Sequence, residues 1–159
     1  MTLPTDGLIG DAVRFATDAH AGVTRADGVT PYITHPIAAA SLLYRAGEPA
    51  ETVAAAVLHD VIEDCGVTRE ALAELFGEAV ASLVSEVTFP NGIPSRSAKI
   101  LESIPVMSLA AAKVKMADAL SNLADLPYSG WPDDKAARYR DYLTKALAAG
   151  AARGITFVK

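Results

Sequence analysis

Hydrophobic residues recur every three or four positions along most of the chain, and this spacing predicts amphipathic helices. Thr5 or Asp6 caps the first predicted helix, Asp133 caps the last one, and Gly150 ends it. The predicted helices span residues 8–20, 35–47, 50–63, 68–76, 78–87, 97–103, 106–126 and 133–149. The segments between them are short and rich in glycine, proline and polar residues. The pattern therefore predicts an all-α fold.

The helix predicted over residues 50–63 differs from the others because it is apolar on most sides and still carries charge. His59 and Asp60 lie inside its apolar run, and Glu63 and Asp64 follow one turn later. In a continuous helix Asp60 and Asp64 are i,i+4 neighbours, and two like charges at that spacing destabilise an isolated helix. An acidic helix end reaching solvent accounts for Glu63 and Asp64 but not for the earlier His-Asp pair. Buried charges are costly unless they are paired or bind a metal, so this segment predicts a nearby cation.

Four residues from three segments are candidate metal ligands: His35, His59, Asp60 and Asp118. Two imidazoles and two carboxylates suit a divalent ion such as Mn, Fe, Co or Zn. The alternative for His35 is that it caps its own helical turn. Asp118 shares a face with Asn122 on a mostly apolar helix, so this polar pair requires partners in the core or in a site.

Composition narrows the possible classes of protein. The 159 residues are 51% hydrophobic and 21% charged, which fits one globular domain with a proper core. The net charge of −5 gives no global basic field for nucleic acid. We expect no membrane partner and a cytoplasmic location, because the sequence has no apolar run of transmembrane length and no signal-peptide pattern. Cys65 is the only cysteine, which excludes an intrachain disulfide and a cysteine-based zinc site.

The order of these motifs resembles the HD-domain superfamily, and most closely the hydrolase domain of the RelA/SpoT family. The resemblance covers about residues 10–145. It rests on Ala19-His20 with Arg25, Thr30-Pro31-Tyr32-Ile33 before His35-Pro36, His59-Asp60 with Glu63-Asp64, Phe76-Gly77 with Leu83-Val84 and Val87-Thr88, and Lys115 with Asp118 and Asn122-Leu123. The chain is similar to the small stand-alone alarmone hydrolases, including the metazoan SpoT-homologue type. We therefore expect residues 1–159 to be a single HD hydrolase domain, without room for a synthetase or regulatory domain.

The resemblance implies an HD-domain helical bundle, a chemistry and a set of roles. His35, His59, Asp60 and Asp118 would hold the metal, typically Mn²⁺. The substrate would be a small nucleotide, and the reaction would remove the 3′-pyrophosphate of (p)ppGpp to give GDP or GTP and pyrophosphate. The other roles implied are water activation by Glu63 and Asp64, guanine contact by Arg25, nucleoside contact by Asn122, and phosphate contact by Lys135 and Tyr139.

One departure from the family concerns phosphate binding. Where the family commonly has a lysine after the arginine, this chain has Ala26; Arg96 or Lys99 can replace that charge. Lys115 faces either the site or a carboxylate partner, and Tyr32 lines either the nucleoside pocket or the core.

Three other hypotheses stay open. The chain can be an HD phosphohydrolase for another nucleotide: a nucleoside monophosphate, a dNTP or the 2′-phosphate of NADPH. It can be a non-catalytic nucleotide sensor. In the third, the polar residues form only buried structural networks, which would require a partner for every one of them.

Overall fold

The computed structural model describes residues 5–157, with side chains described from residue 7 onward. Within these residues the regular structure is nine α-helices and one 3₁₀ turn, and the only β geometry is an isolated bridge between Thr24 and Pro31. The helices are α1 (Thr5–Ala19), α2 (Thr34–Arg45), α3 (Ala50–Leu58), α4 (Val61–Cys65), α5 (Arg69–Phe76), α6 (Glu78–Val87), α7 (Arg96–Ser103), α8 (Leu109–Asp125) and α9 (Asp133–Ala151), with the 3₁₀ turn at Leu126–Tyr128. The all-α prediction is confirmed. The predicted cap of α1 by Thr5 or Asp6 depends on side chains outside the described residues.

Helix α3 is the centre of the fold. It packs against α1, α2, α6 and α8, and every residue from 52 to 58 is buried. This follows from its sequence, because a helix that is apolar on all sides must be covered on all sides. Leu58 is fully buried, and burying a leucine contributes roughly 1.5–3 kcal/mol relative to leaving it exposed. The core thus fixes α3 and, with it, the polar residues that follow.

The continuous helix predicted over residues 50–63 is wrong, because the chain breaks between α3 and α4 at His59 and Asp60. The Nδ1 atom of His59 bonds the carbonyl oxygen of Ala56 at 2.6 Å. In an unbroken helix that oxygen would accept from the backbone N–H of Asp60. The helix resumes with a 2.9 Å bond from the N–H of Asp64 to the carbonyl of Asp60. The imidazole therefore takes over a helical acceptor, which a hydrophobic pattern cannot reveal.

The predicted start of α8 at residue 106 is also wrong. Val106 and Met107 lie in a turn in which both donate to the carbonyl of Ser103. Helix α8 begins three residues later because Ser108 is a good N-cap: its hydroxyl accepts from the N–H of Ala111 at 3.1 Å. Similarly, α2 begins at Thr34 rather than at His35.

Both predicted ends of α9 require correction. Pro132, with φ −53° and ψ 146°, occupies the N-cap position, and Asp133 is the first helical residue, where its negative charge faces the positive end of the helix. Gly150 does not end the helix, which continues to Ala151. An added Cβ at Gly150 would lie 2.1 Å from Sδ of Met116. Glycine is therefore needed there for close packing of α9 on α8, not for a left-handed turn.

The end of the described chain packs back on the helices. Arg153 donates through Nη1 to the carbonyls of Ile104 and Met107 at 2.8 and 2.9 Å. Ile155 joins the core and Phe157 packs against it; Val158 lies outside the described residues. No helix within residues 5–157 combines the length and apolarity needed to cross a membrane.

Candidate active site

A cleft of about 560 Å³ opens between α8, α9, α4 and the loop that follows α1. This volume is typical of small-molecule sites. Most residues with a predicted role line it, namely His35, Asp60, Glu63, Asp64, Asp118, Arg25, Asn122 and Tyr139. His59 is buried next to the cleft. Lys135 is exposed and is not among the lining residues.

Three of the four predicted metal ligands, His35, His59 and Asp118, meet at one point although they come from distant segments, and Asp60 lies beside them. Nε2 of His35 lies 3.2 Å from Nε2 of His59 and 3.0 Å from Oδ1 of Asp118. Nε2 of His59 lies 3.3 Å from the same Asp118 oxygen and 3.1 Å from Oδ2 of Asp60. The distance from Asp60 Oδ2 to His35 Nε2 is longer, 3.7 Å. Separations of 3.0–3.3 Å are those expected between neighbouring ligands that each lie about 2.1 Å from one ion.

The hydrogen bonds behind the two imidazoles leave their Nε2 atoms free to bind. Nδ1 of His59 faces a carbonyl oxygen, which only accepts, so this nitrogen carries the ring proton. Nδ1 of His35 lies 2.8 Å from Oγ of Ser121, whose own proton points to the His35 carbonyl at 3.4 Å. Both Nε2 lone pairs therefore face each other and the carboxylates. Histidine ligands of metals are oriented by such second hydrogen bonds.

The electrostatics of this group favour a cation. Burial alone would lower the pKa of His59, but Asp60 and Asp118 outweigh burial and hold that pKa well above its ordinary value. Burial acts to raise the pKa of Asp118, yet Lys115 and His59 hold it well below its usual range. The carboxylates that attract a proton to this site attract a divalent ion in the same way. The His35, His59 and Asp118 set therefore fits a divalent metal.

Glu63 and Asp64 lie beside this group on the short helix α4. Oε1 of Glu63 accepts from the backbone N–H of Phe89 at 2.6 Å, and Oε2 accepts from Nη2 of Arg96 at 3.0 Å. Burial raises the pKa of Glu63, while the Phe89 N–H and Arg96 oppose the rise. Asp64 is exposed and accepts from Nδ2 of Asn91 at 3.0 Å. A carboxylate has about four acceptor sites, so Glu63 can still accept from a water molecule.

Arg25 and Asn122 form a second polar group in the cleft. Nη2 of Arg25 donates to Oδ1 of Asn122 at 2.8 Å, and its Nε donates to Asp125 at 3.0 Å. The guanidinium lies 5.2 Å from the ring centre of Tyr32, whose hydroxyl donates to Asp60 at 2.6 Å. Tyr32 thus contacts both polar groups. Sequence reasoning missed Asp125, although its position three residues after Asn122 on the same helix face was a usable signal.

Lys115 is both a site residue and a salt-bridge partner. It lines the cleft, and its Nζ lies 3.0 Å from Oδ2 of Asp118. Asp118 receives a further bond from Nδ2 of Asn122 at 2.9 Å, which confirms that these two residues share a helix face. A buried lysine at i,i+3 from an aspartate fixes one carboxylate oxygen and leaves the other for the histidines.

An aromatic wall formed by Trp131, Tyr139 and Tyr142 borders the cleft. Trp131 and Tyr139 pack edge to face at 5.3 Å, and Tyr139 lies 5.9 Å from Tyr142. Nζ of Lys135 sits 4.0 Å above the Trp131 ring. Lys135 and Tyr139 thus both contact Trp131, but only Tyr139 lines the cleft. Sequence reasoning missed Trp131 and Tyr142 as lining residues.

Of the other residues named in the sequence analysis, some line the cleft and others lie outside its lining. Ala26 and Arg96 line it, whereas Lys99 is exposed and lies outside its lining. His20 is buried, stacks on Tyr32 at 4.7 Å and contacts the Cys65 sulfur at 3.4 Å through Nδ1.

Comparison with known proteins assigns the family. Residues 12–141 match the HD domain. A protein from Danio rerio named guanosine-3′,5′-bis(diphosphate) 3′-pyrophosphohydrolase MESH1 is 34% identical, over 92% of this chain and 86% of its own length. A protein of the same name from Xenopus tropicalis is 36% identical, over 88% and 83%.

Longer relatives and solved structures agree with that assignment. A Vibrio cholerae protein named guanosine-3′,5′-bis(diphosphate) 3′-pyrophosphohydrolase is 42% identical over 79% of this chain, but the match spans only 19% of its own length. The solved structure of a metazoan SpoT ortholog, described as hydrolysing ppGpp, superposes with a TM-score of 0.85 at 29% identity and covers 94% of this chain and 88% of that one. The chain therefore belongs to the HD-domain family, in the group that contains the MESH1 proteins.

Proposed function

We propose that this protein is an Mn²⁺-dependent phosphohydrolase that removes the 3′-pyrophosphate of (p)ppGpp. The observation that carries the proposal is the meeting of His35, His59 and Asp118 at one point, next to Asp60, in a cleft that also holds Glu63 and Arg25. Metal-dependent hydrolysis needs this combination of a ligand set, a nearby base and cationic groups for phosphate.

The four ligands would hold the ion through two imidazole nitrogens and two carboxylates. When bound, a divalent ion supplies a nucleophile at neutral pH by lowering the pKa of its water to about 7.

The chain's own residues would perform the proton transfer and the positioning. Glu63 accepts a proton from the attacking water through a free lone pair, and Asp64 orients that water. The water oxygen forms a bond to the phosphorus attached to the 3′-oxygen, and the bond between that phosphorus and the 3′-oxygen breaks. The 3′-oxygen gains a proton, so ppGpp and water give GDP and pyrophosphate. Lys115 and Arg25 offset charge that develops on the phosphates.

Two observations support a purine nucleotide as the substrate. The names of the MESH1 relatives specify a guanosine 3′,5′-bis(diphosphate), and this chain spans most of their length. Arg25 also presents a guanidinium fixed by Asn122, Asp125 and the Tyr32 ring. A guanidinium held flat in this way can stack on a base. We propose that Arg25 contacts the guanine, Asn122 the nucleoside, and Tyr139 and Lys135 the phosphates.

A panel of substrates tests the proposal. The Mn²⁺-loaded protein is incubated with ppGpp, pppGpp, NADPH, a dNTP and a nucleoside monophosphate, and all products are identified by chromatography. We expect GDP from ppGpp and GTP from pppGpp, each with one pyrophosphate. Release of orthophosphate from NADPH or a simple nucleotide, with ppGpp intact, would show that the substrate is a different nucleotide. The proposed metal-dependent hydrolysis would still hold. Tight ppGpp binding without turnover of any compound would indicate a sensor.

A further inference from the structure

Glu63 belongs to a closed ring of hydrogen bonds with Phe89 and Arg96, and the proposed reaction assigns no role to Arg96. Its two oxygens accept from the backbone N–H of Phe89, at 2.6 Å, and from Nη2 of Arg96, at 3.0 Å. Arg96 closes the ring, since its Nε donates to the carbonyl of Phe89 at 3.0 Å. A single arginine therefore contacts both the carboxylate and the residue, Phe89, whose N–H bonds that carboxylate.

Burial is distributed unequally around this ring. The Glu63 side chain is 6% exposed, whereas that of Arg96 is 31% exposed. A buried carboxylate left without partners is costly, so removing Arg96 would leave Glu63 to find another arrangement. Since a general base acts only within hydrogen-bond reach of the proton it takes, its position matters as much as its charge.

The backbone just before Arg96 is strained. Ser95 has φ 54° and ψ 37°, and among the described residues it is the only one other than glycine with a positive φ. Such a conformation costs about 1–2 kcal/mol for a residue with a side chain. It persists where the surrounding structure fixes it. Helix α7 starts at Arg96 from this strained residue, so the loop before α7 directs the arginine back towards α4.

We propose that Arg96 is a positioning residue: it holds the Glu63 carboxylate in place for proton transfer and acts through Glu63 rather than on the substrate. This rests on the proposed function, in which Glu63 is the base. The competing role is phosphate contact, since Arg96 lines the cleft where Ala26 offers no charge. The geometry points to the first role because Nη2 and Nε are both already directed at Glu63 and Phe89.

A double-mutant cycle separates the two roles. Arg96→Ala should lower kcat about 10- to 100-fold with KM within about twofold, because misplacing a catalytic group by about 1 Å costs up to 10². Arg96→Lys keeps the charge without the fork and should recover part of the loss. In a Glu63→Gln background, Arg96→Ala should cause no further loss of kcat, because residues that act as a unit are non-additive.

A binding measurement gives a readout that does not depend on turnover. The affinity of the Mn²⁺-loaded Glu63→Gln protein for ppGpp is compared with that of the Glu63→Gln/Arg96→Ala protein by calorimetry. Equal dissociation constants support the positioning role. Weaker binding of the double variant, or a rise in KM as the main effect of Arg96→Ala, would overturn it in favour of phosphate contact. Lys99→Ala, one turn along α7 and exposed, is the matched control and should leave kcat and KM unchanged.

The outcomes also distinguish this inference from the proposed function. If the wild-type protein leaves ppGpp intact but hydrolyses another nucleotide, the same variants are measured on that compound. If the wild-type protein hydrolyses ppGpp and Arg96→Ala has the same kcat, only the positioning role is lost. Thermal melting of each variant shows that a lower kcat is not a folding defect, and Arg96→Lys keeps the test valid if the alanine variant melts early.

Discussion

Nη2 of Arg25, in the loop after α1, donates a 2.8 Å hydrogen bond to Oδ1 of Asn122 on α8. The other end of the Asn122 amide donates to Oδ1 of Asp118 at 2.9 Å, the oxygen that faces the two imidazoles. One amide therefore connects the group proposed to bind the nucleoside with the group proposed to bind the metal.

This link predicts different results for two alanine variants. Asn122→Ala should weaken Mn²⁺ binding about 10-fold, because outer-shell partners of ligands typically contribute this much, and should also raise the KM for ppGpp. Arg25→Ala should raise KM by roughly 2- to 30-fold, since the stacking of a guanidinium on an aromatic ring contributes about 0.5–2 kcal/mol. Its Mn²⁺ affinity should not change. Calorimetric Mn²⁺ titration of both variants is the check, and unchanged metal affinity in Asn122→Ala would contradict the link.

Ser121 should matter for the metal although it is not a ligand. Ser121→Ala removes the partner of His35 Nδ1 and leaves a buried N–H without an acceptor, which costs about 1–3 kcal/mol of unfolding free energy. Mn²⁺ affinity should fall about 10- to 100-fold. The matched control is Ser41→Ala, because Ser41 bonds the carbonyl of Ile37 in its own helix. Denaturant unfolding and Mn²⁺ titration test both variants, and identical affinities would show that His35 is not oriented through Ser121.

Two glycines in helices should respond in opposite directions to alanine. Gly150→Ala forces a Cβ to 2.1 Å from the buried Met116, and overpacking of this kind costs about 1–3 kcal/mol. Gly10→Ala meets only the Arg14 guanidinium at 3.7 Å, so it should gain up to about 1 kcal/mol of helix propensity. Urea unfolding gives both values. A Gly150→Ala protein as stable as the wild type would show that Met116 can move aside without cost, and would contradict a packing role for Gly150.

Cys65 should behave as an unreactive thiol. Burial raises its pKa, and the charges of Asp64 and Asp60 raise it further. Because the thiolate is the nucleophile, alkylation should be slow at pH 8, and its pH midpoint should be higher than that of the unfolded chain. In denaturant, alkylation of Cys65 should reach half its maximal rate at about pH 8.5. Cys65→Ser should retain full phosphohydrolase activity. A folded-state midpoint below that of the unfolded chain would contradict this account.

The sequence predicted the centre of the fold because one physical rule dominated there. The run from Val53 to Leu58 is apolar on every side, so the sequence predicted a helix that is buried on every side. The pairing of Asp118 with Asn122 was likewise a local matter of helical spacing.

The break at His59 could not be predicted, because it depends on which acceptor an imidazole takes. The ring of Arg96, Glu63 and Phe89 was equally hidden: its members come from α7, α4 and the loop between α6 and α7, and only the folded chain brings them together. The prediction that Gly150 ends α9 failed for a different reason. A glycine near a helix end has the same local sequence pattern whether it ends the helix or allows close packing.

Metal dependence of the reaction is the most direct test of the whole account. Metal-depleted protein is titrated with Mn²⁺ in the presence of ppGpp while pyrophosphate and GDP are followed. We predict that activity appears in proportion to Mn²⁺ up to one ion per chain, with one pyrophosphate for each GDP. Chelation of the metal should abolish this activity. The His59→Ala and Asp118→Ala proteins should stay inactive when Mn²⁺ is added. Undiminished hydrolysis in chelator, or full activity of either variant, would contradict the proposed centre.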